Sequence, residues 1–373
     1  MTDDGDMLGW DESVFRDEHV LELDYVPETF HHRDTQMESL KYALRPAVRG
    51  SRPLNVIARG PPGTGKTTAV QKLFGELRAE TDVRVARINC QVDATRYAVF
   101  SSLFEAVFDY EPPASGISFR KLFDQITDHL VEEDAVLAVA LDDVNYLAYE
   151  NEISETLYSL LRAHEAQSGA KIGVIVISSD TDLELMEAVD GRVQSVFRPE
   201  EVFFPPYDRS EIVDILSERV ERGFQPEAVD TTLLDRVAEY TADHDGDLRM
   251  GIDLLRRAGL NAEMAGRRTV AIEDVEEAYD AAKHVHLSRE INALGDTERD
   301  LLAVIASEGG GHAGDVFDAF HDRTDLAYTR YAEVLDKLDR IGLVETHYTS
   351  VEGRGRTRLI ELDYETDAVL ERL

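Results

Sequence analysis

The chain of 373 residues has one cysteine, Cys90, one tryptophan and only seven lysines. A lone cysteine excludes an internal disulfide framework and offers no zinc spacing. His31 with His32, and His284 with His286, come without a third ligand, so no metal cluster of their own is expected. No apolar run approaches the roughly 18 residues that a membrane-spanning helix requires. The opening residues, MTDDGDMLGWDESVF, are acidic and have neither the basic start nor the apolar centre of a signal peptide. Repeats and low-complexity stretches are also missing. These absences together predict a soluble cytoplasmic protein with no membrane partner.

Positive charge is scarce as well. Of the 39 basic residues, 39 − 7 = 32 are arginine, and they face 75 carboxylates for a formal net charge of −36. Self-repulsion of that size opposes the compact state. It becomes tolerable where screening is severe, since the Debye length is about 3 Å at 1 M salt. The composition therefore predicts a protein of a halophile, adapted to molar internal salt. Taken alone it argues against nucleic acid, because carboxylates repel phosphates. The apolar share, 43%, and the length allow two or three domains with real cores.

In the first two hundred residues strand-like and helix-like segments alternate. LNVIA (Leu54 to Ala58), VRVARIN (Val83 to Asn89), AVLAVAL (Ala135 to Leu141) and IGVIVIS (Ile172 to Ser178) are short, apolar and partly β-branched, as buried parallel strands are. Val70, Leu73, Phe74 and Leu77 follow helical spacing between two of them. This pattern predicts an α/β domain, a parallel sheet with helices on both faces, over 1–206. Residues 96–130 are too long for a simple crossover and predict an inserted helical element. After FFPPY (Phe203 to Tyr207) the strand pattern stops, and 207–287 predicts a helical domain with Asp247 as an N-cap. From 288 to 373 three helical patterns, the first capped by a Thr-x-x-Asp signal at Thr297, precede two alternating runs around Gly353 and Gly355. Three helices and a hairpin make a winged-helix arrangement.

Gly60, Pro61, Pro62, Gly63, Thr64, Gly65, Lys66 and Thr67, followed by Thr68, fit the pattern G-x-x-x-x-G-K-[ST] between a predicted strand and a predicted helix. The glycines let backbone N–H groups curl around phosphate oxygens, and the helix start adds its positive dipole end. Lys66 can reach the β- and γ-phosphates, and Thr67 can offer a hydroxyl to Mg²⁺. In VLAVALDDVNYL a strand ends on two carboxylates: Asp142 is placed for Mg²⁺ and Asp143 for orienting or deprotonating a water. ATP or ADP with Mg²⁺ is the expected ligand.

The stretch SVEGRGRTRL sets Arg354, Arg356 and Arg358 at alternate positions, which share one face of a strand. In so acidic a chain, this predicts a wing projecting arginines into a narrow minor groove. Arg330 and Lys337 on the third helix are the matching major-groove candidates, although Glu333 and Asp336 share that face.

The order of these motifs resembles the AAA+ ATPases, and within them the archaeal replication initiators related to the origin recognition complex and the cell-division-control loader. The likeness rests on DYVPETFHHRDTQMESL, LRPAVRGSRPLNV, the Gly60 loop, VISSD, FFPPYDRSEIVDILSERV, HDGDLRMGIDLLRRAG and the winged-helix tail. It implies an AAA+ P-loop domain, an all-helical lid and a C-terminal DNA reader. It further implies that Tyr207 packs on the nucleotide, that Arg219 enters the same site from the lid, and that Arg249 senses the γ-phosphate. His32 and Arg33 would lie along the base, residues 96–130 against DNA, and Arg192 toward a neighbouring subunit's ATP. The implied partners are double-stranded origin DNA, a replicative helicase and other copies of itself or related initiators.

Three departures bear on rate. The family usually has Glu where Asp143 stands, Asn at Ser179, and often Asp at Asn145. Asp is one methylene shorter, and a base about 1 Å too far can cost roughly 10²-fold. Ser has one donor where an amide has two. The expectation is a slow ATP/ADP switch that binds an origin and helps recruit the helicase. An ATP-sensing regulator or plasmid initiator, and a clamp-loader-like ATPase, are alternatives built from the same parts.

Overall fold

The computed structural model describes residues 13–373 except 114–116, 167–168, 181–182, 184 and 352–354. Two compact units divide at Ile272 and Glu273. The first begins with α1 (Asp34–Val48), β1 (Val56–Arg59), α2 (Lys66–Glu80), β2 (Arg84–Asn89), α3 (Arg96–Phe108), α4 (Phe119–Glu132) and β3 (Val136–Asp142). It continues through α5 (Asn145–Tyr149), α6 (Ile153–Leu161), α7 (Ala163–Ala166), β4 (Lys171–Ser178), α8 (Leu185–Ala188), α9 (Gly191–Val196) and β5 (Glu200–Phe203). The five strands are parallel in the order β2-β3-β4-β1-β5.

Strand period two divides the apolar residues between two cores. On β3, Leu137, Val139 and Leu141 face α3, α4 and α6, whereas Val136, Ala138 and Ala140 face α1 and α2. Both faces are covered, as in an AAA+ domain, and the expected inserted element is the pair α3 and α4. One strand escaped the sequence reading. In β5 only Val202 is buried while Glu200, Glu201 and Phe203 are exposed, so this edge strand lacks the apolar run that marks its neighbours.

The lid follows as α10 (Arg209–Gly223), α11 (Thr231–Asp243) and α12 (Leu248–Met264). Each starts on an aspartate whose carboxylate accepts a backbone N–H: Asp208, Asp230 and, as expected, Asp247. A strap at 13–28 runs over the lid. Arg16 and Asp17 donate to Gly223 O at 2.8 and 3.1 Å, and the Phe15 ring packs 4.9 Å from Phe224.

The second unit contains most of α13 (Ile272–Ala293), then α14 (Asp296–Glu308), β6 (Gly311–His312), α15 (Ala313–Thr324), α16 (Tyr328–Arg340), β7 (Val344–Val351), β8 (Gly355–Leu362) and α17 (Thr366–Leu370). α13 is continuous across residues 287 and 288. Three helices and the β7–β8 hairpin form the winged helix around Leu301, Ile305, Phe320, Tyr331, Leu338 and Ile360. The Tyr331 hydroxyl donates to Ala313 O at 2.9 Å, which ties α16 to the start of α15. The cap of α14 differs from the Thr-x-x-Asp reading: the Gly295 N–H donates to Glu298 Oε2 at 2.9 Å, so the helix starts before Thr297. Among the described residues no helix is long and apolar enough to cross a membrane.

Candidate nucleotide site and charged winged-helix face

The carboxyl ends of parallel strands open on a cavity of about 380 Å³. Its floor is the loop from Pro62 to Thr68; its walls are Asp142, Asp143, Arg87, Asn89 and Ser179 from the sheet. Its roof is Arg219, Leu248 and Arg249 from the lid, with Leu23, Asp24 and Tyr25 from the strap. Open parallel sheets place ligands at this end.

The loop needs glycine at two places for steric as well as conformational reasons. Gly60 has φ +150, and a Cβ there would collide with the Phe204 carbonyl. Gly63 has φ +68, and a Cβ there would collide with the Asp247 carboxylate, so the start of α12 rests directly on the loop. Gly65, at φ +89, is the N-cap of α2.

Lys66 is the buried cation of the site, 6% exposed. Its Nζ donates to Gly60 O at 2.7 Å and Pro61 O at 2.6 Å. Desolvation first, and the Arg249 guanidinium second, lower its ammonium to about 8. Asp142 is buried too; Thr67 Oγ1 donates to one of its oxygens at 3.0 Å and Arg87 Nη1 to the other at 2.9 Å. Burial raises its carboxyl above the ordinary range against the pull of both donors. A hydroxyl and a carboxylate within 3.0 Å are hard oxygen ligands of the kind Mg²⁺ takes, so this donor pair fits the metal. A loop turning through left-handed Gly63 and Gly65 beside a buried ammonium fits a polyphosphate equally well.

Asp143 sits in the left-handed region at φ +52, and Ser179 Oγ donates to its Oδ1 at 2.7 Å. Asp adopts that conformation more readily than Glu does. Asn145 starts α5 and is buried.

On the lid, Arg249 grips the Asp247 carboxylate with Nε at 3.0 Å and Nη2 at 2.6 Å. Arg219 lies 4.5 Å over the Tyr25 ring and donates to Val20 O at 2.7 Å. Tyr207 lines the cavity from beside the loop, and Gly65 approaches its hydroxyl.

Two expected base-side residues, His32 and Arg33, are not among those lining the cavity. His32, at φ +58, turns toward α10, with Nε2 3.1 Å from Asp214; His31 lines the cavity instead, 3.1 Å from Glu218. Arg33 stands behind the loop. It is buried, stacks 3.6 Å over Tyr207, and donates to Thr64 O at 3.2 Å and Pro205 O at 2.6 Å. It therefore braces the loop and Tyr207 from outside the lining. Arg192 on α9 is also outside the lining. It is half-exposed and held by Asp190 at 2.6 Å and Glu155 at 2.7 Å.

In the winged helix Arg358, one of the three expected to project together, is turned inward. Arg358 shares its strand face with Ile360, which is fully buried, so period two turns it toward α16. There its Nη1 meets Asp336 at 2.6 Å and its Nη2 meets Asp339 at 3.1 Å, and it is only 23% exposed. Arg356 is paired in register with Ser350; its side chain, and Arg354 altogether, lie outside the described residues. Lys337 reaches back to Glu298 at 2.7 Å, and Arg330 meets Glu333 at 3.1 Å.

Arg87, Asn89 and His31 were missed by the sequence reading. A usable signal existed for the first two: they lie at the carboxyl end of the predicted strand VRVARIN, the end that faces a ligand.

Comparison with known proteins places the chain among related sequences along its whole length. A family model described as an AAA domain matches residues 49–186, and one described as a Cdc6 AAA+ ATPase-type lid domain matches 213–280. The chain is similar to ORC1-type DNA replication protein 3 of Haloarcula marismortui, 68% identical over all of both chains. It is similar also to ORC1-type DNA replication protein 6 of Halobacterium salinarum, 62% identical over 98% of each. Among solved structures, that of the Aeropyrum pernix ORC1 protein in complex with DNA shares 26% identity. It superposes with a TM-score of 0.73 over 96% of each chain.

Proposed function

We propose, from the premise that this chain belongs to the ORC1-type DNA replication protein family, that it is an ATP-dependent replication initiator acting as a slow switch. The observation that carries this reading is one cavity in which the glycine loop, the Asp142–Asp143 pair and the lid arginines Arg219 and Arg249 meet. The loop amides and Lys66 bind the phosphates of ATP or ADP, while Tyr207 and Arg219 flank the rest of the nucleotide. Thr67 and Asp142 would hold Mg²⁺, which supplies charge neutralisation at the transferring phosphoryl group. Asp143 orients the water. Arg249 exchanges Asp247 for the terminal phosphate, so nucleotide state is read by the lid. Arg192 would extend toward the nucleotide of a neighbouring copy, and the duplex-bound form would recruit the helicase.

The winged helix reads duplex DNA with α16 and the hairpin. Among its described residues Arg330, Lys337 and Arg358 pair with carboxylates, and surface pairs of this kind are worth about 0–1 kcal/mol, the less exposed Arg358 pairs lying at the upper end. They are therefore cheaply exchanged for phosphate. Molar salt weakens counterion release, so specificity falls on base edges and groove shape. Asp336→Asn with Asp339→Asn should raise non-specific duplex affinity about 2- to 5-fold. It should also steepen the salt dependence by about one unit, measured by anisotropy across a potassium chloride series. Unchanged affinity and slope would remove Arg358 from the DNA face.

Lys66 supplies a proton-linked test. In the folded chain it ionises near 8 against an ordinary 10.5, so between those values the unfolded chain binds more protons. Its charge cost is then relieved as pH rises, and stability increases with pH across that window. A bound polyphosphate favours the ammonium, so nucleotide binding at about pH 8.5 should take up a fraction of a proton. Calorimetry in two buffers of different ionisation enthalpy measures this, and identical heats would exclude it. The initiator role itself is tested by mapping bound DNA across the genome against replication start sites. Binding confined to repeats beside its own gene would favour a regulator.

A further inference from the structure

Arg87 belongs to none of the motifs, yet it lines the cavity at the phosphate end. It stands on β2, the sheet-edge strand, where Val85, Ala86 and Ile88 are buried and Arg87 is exposed. Its Nη1 donates to Asp142 Oδ2 at 2.9 Å while Thr67 holds Oδ1. Both oxygens of that buried carboxylate are thereby fixed from opposite sides, by a sheet residue and by the first turn of α2.

A guanidinium carries five N–H donors. Arg87 uses one on Asp142, and the other four make no hydrogen bond among the described residues. The other arginines of this cavity each have a partner too. Arg249 is held at two nitrogens by Asp247, and Arg219 donates one N–H to Val20 O and lies over the Tyr25 ring, so Arg87 is the one whose remaining donors stand beside the metal carboxylate. Across the cavity, Ser179 has its hydroxyl engaged with Asp143.

We infer that Arg87 is a further ligand for the terminal phosphate of ATP, holding the Asp142 carboxylate with one N–H and donating others to phosphate oxygen. The inference rests on the nucleotide reading above. It has two consequences. Arg87 distinguishes ATP from ADP, because only ATP presents the phosphate it meets. It also supplies a fixed positive charge beside the metal position, so ATP retention depends less on a divalent cation than the loop alone would allow.

The test is Arg87→Gln, with Arg87→Lys as the charge-preserving partner, titrated with ATP and ADP by calorimetry in high potassium chloride. Each titration is run with Mg²⁺ and with a chelator. Arg87 is exposed on an edge strand, so both variants should fold, and ADP binding reports that the loop is intact. Charge-assisted contacts predict a loss of ATP affinity of about 10- to 100-fold in Arg87→Gln, largest in chelator. ADP affinity should stay within about 3-fold, and Arg87→Lys should recover part of the loss. Equal ATP and ADP affinities in Arg87→Gln and wild type, under both conditions, would overturn the role of Arg87 and leave the nucleotide reading standing. A wild-type protein that binds neither nucleotide would overturn both. If Arg87→Gln failed to fold, Arg87→Lys would decide the case, with an unchanged ATP-to-ADP ratio and Mg²⁺ dependence counting against the role.

Discussion

Lys66→Ala is expected to lower the affinity for ATP and ADP alike by about 10²- to 10³-fold. Hydrogen bonds to charged groups contribute about 1.5–3 kcal/mol each, and Lys66 can make two at the phosphates. Two at the low end of that range give the stated loss, at 1.4 kcal/mol per tenfold. Stability of the unliganded chain should move much less. The ammonium is buried and disfavoured in its charged form, so its removal relieves a desolvation cost. Against that gain stand the Gly60 and Pro61 carbonyls, which lose their donor. Fluorescent-nucleotide titration and a melting curve in high potassium chloride separate the two effects. Retained ADP affinity within about 3-fold of wild type would show that the loop does not hold the phosphates through Lys66.

The second large effect concerns turnover. Single-turnover hydrolysis by the wild-type chain should be slower than about 1 s⁻¹, the low end of ordinary catalytic rates. Asp143 is short, one of its oxygens is occupied by Ser179, and its backbone is left-handed. Asp143→Glu should raise the rate about 10- to 100-fold by moving the carboxylate about 1 Å toward the water. It should also cost on the order of 1 kcal/mol of stability, because Glu is less at ease at positive φ. A quench-flow measurement in which Asp143→Glu hydrolyses no faster than wild type would refute the geometric explanation of slow turnover.

The legible parts of this molecule share a property: their information is local. The Gly60 loop needs small residues at fixed offsets and a lysine at the helix start, and all of that is contiguous in the chain. β1 to β4 announced themselves because strands buried on both faces must be apolar throughout. β5 hid because an edge strand needs one inward residue, here Val202, and leaves the rest free. Of the lid helices, α12 showed its Asp247 cap for the same local reason.

Pairings across the sequence were a different matter. Nothing near Arg358 reveals that Asp336 and Asp339 will meet it; the parity with Ile360 becomes meaningful only once the wing is known to fold onto α16. His31 and His32 are neighbours, and a single positive φ decides which of them faces the cavity. Arg87 and Asp142 lie on adjacent strands, and only their parallel register sets a guanidinium beside the carboxylate.

From its residues alone this chain is an acidic, arginine-rich P-loop protein whose order of motifs resembles the replication initiators, because loop chemistry, strand hydrophobicity and charge are written in contiguous or summed residues. Tertiary structure decided which charged groups are partnered and which keep donors for a ligand. That choice is made between segments distant in sequence, where burial and strand register, rather than spacing, set the distances.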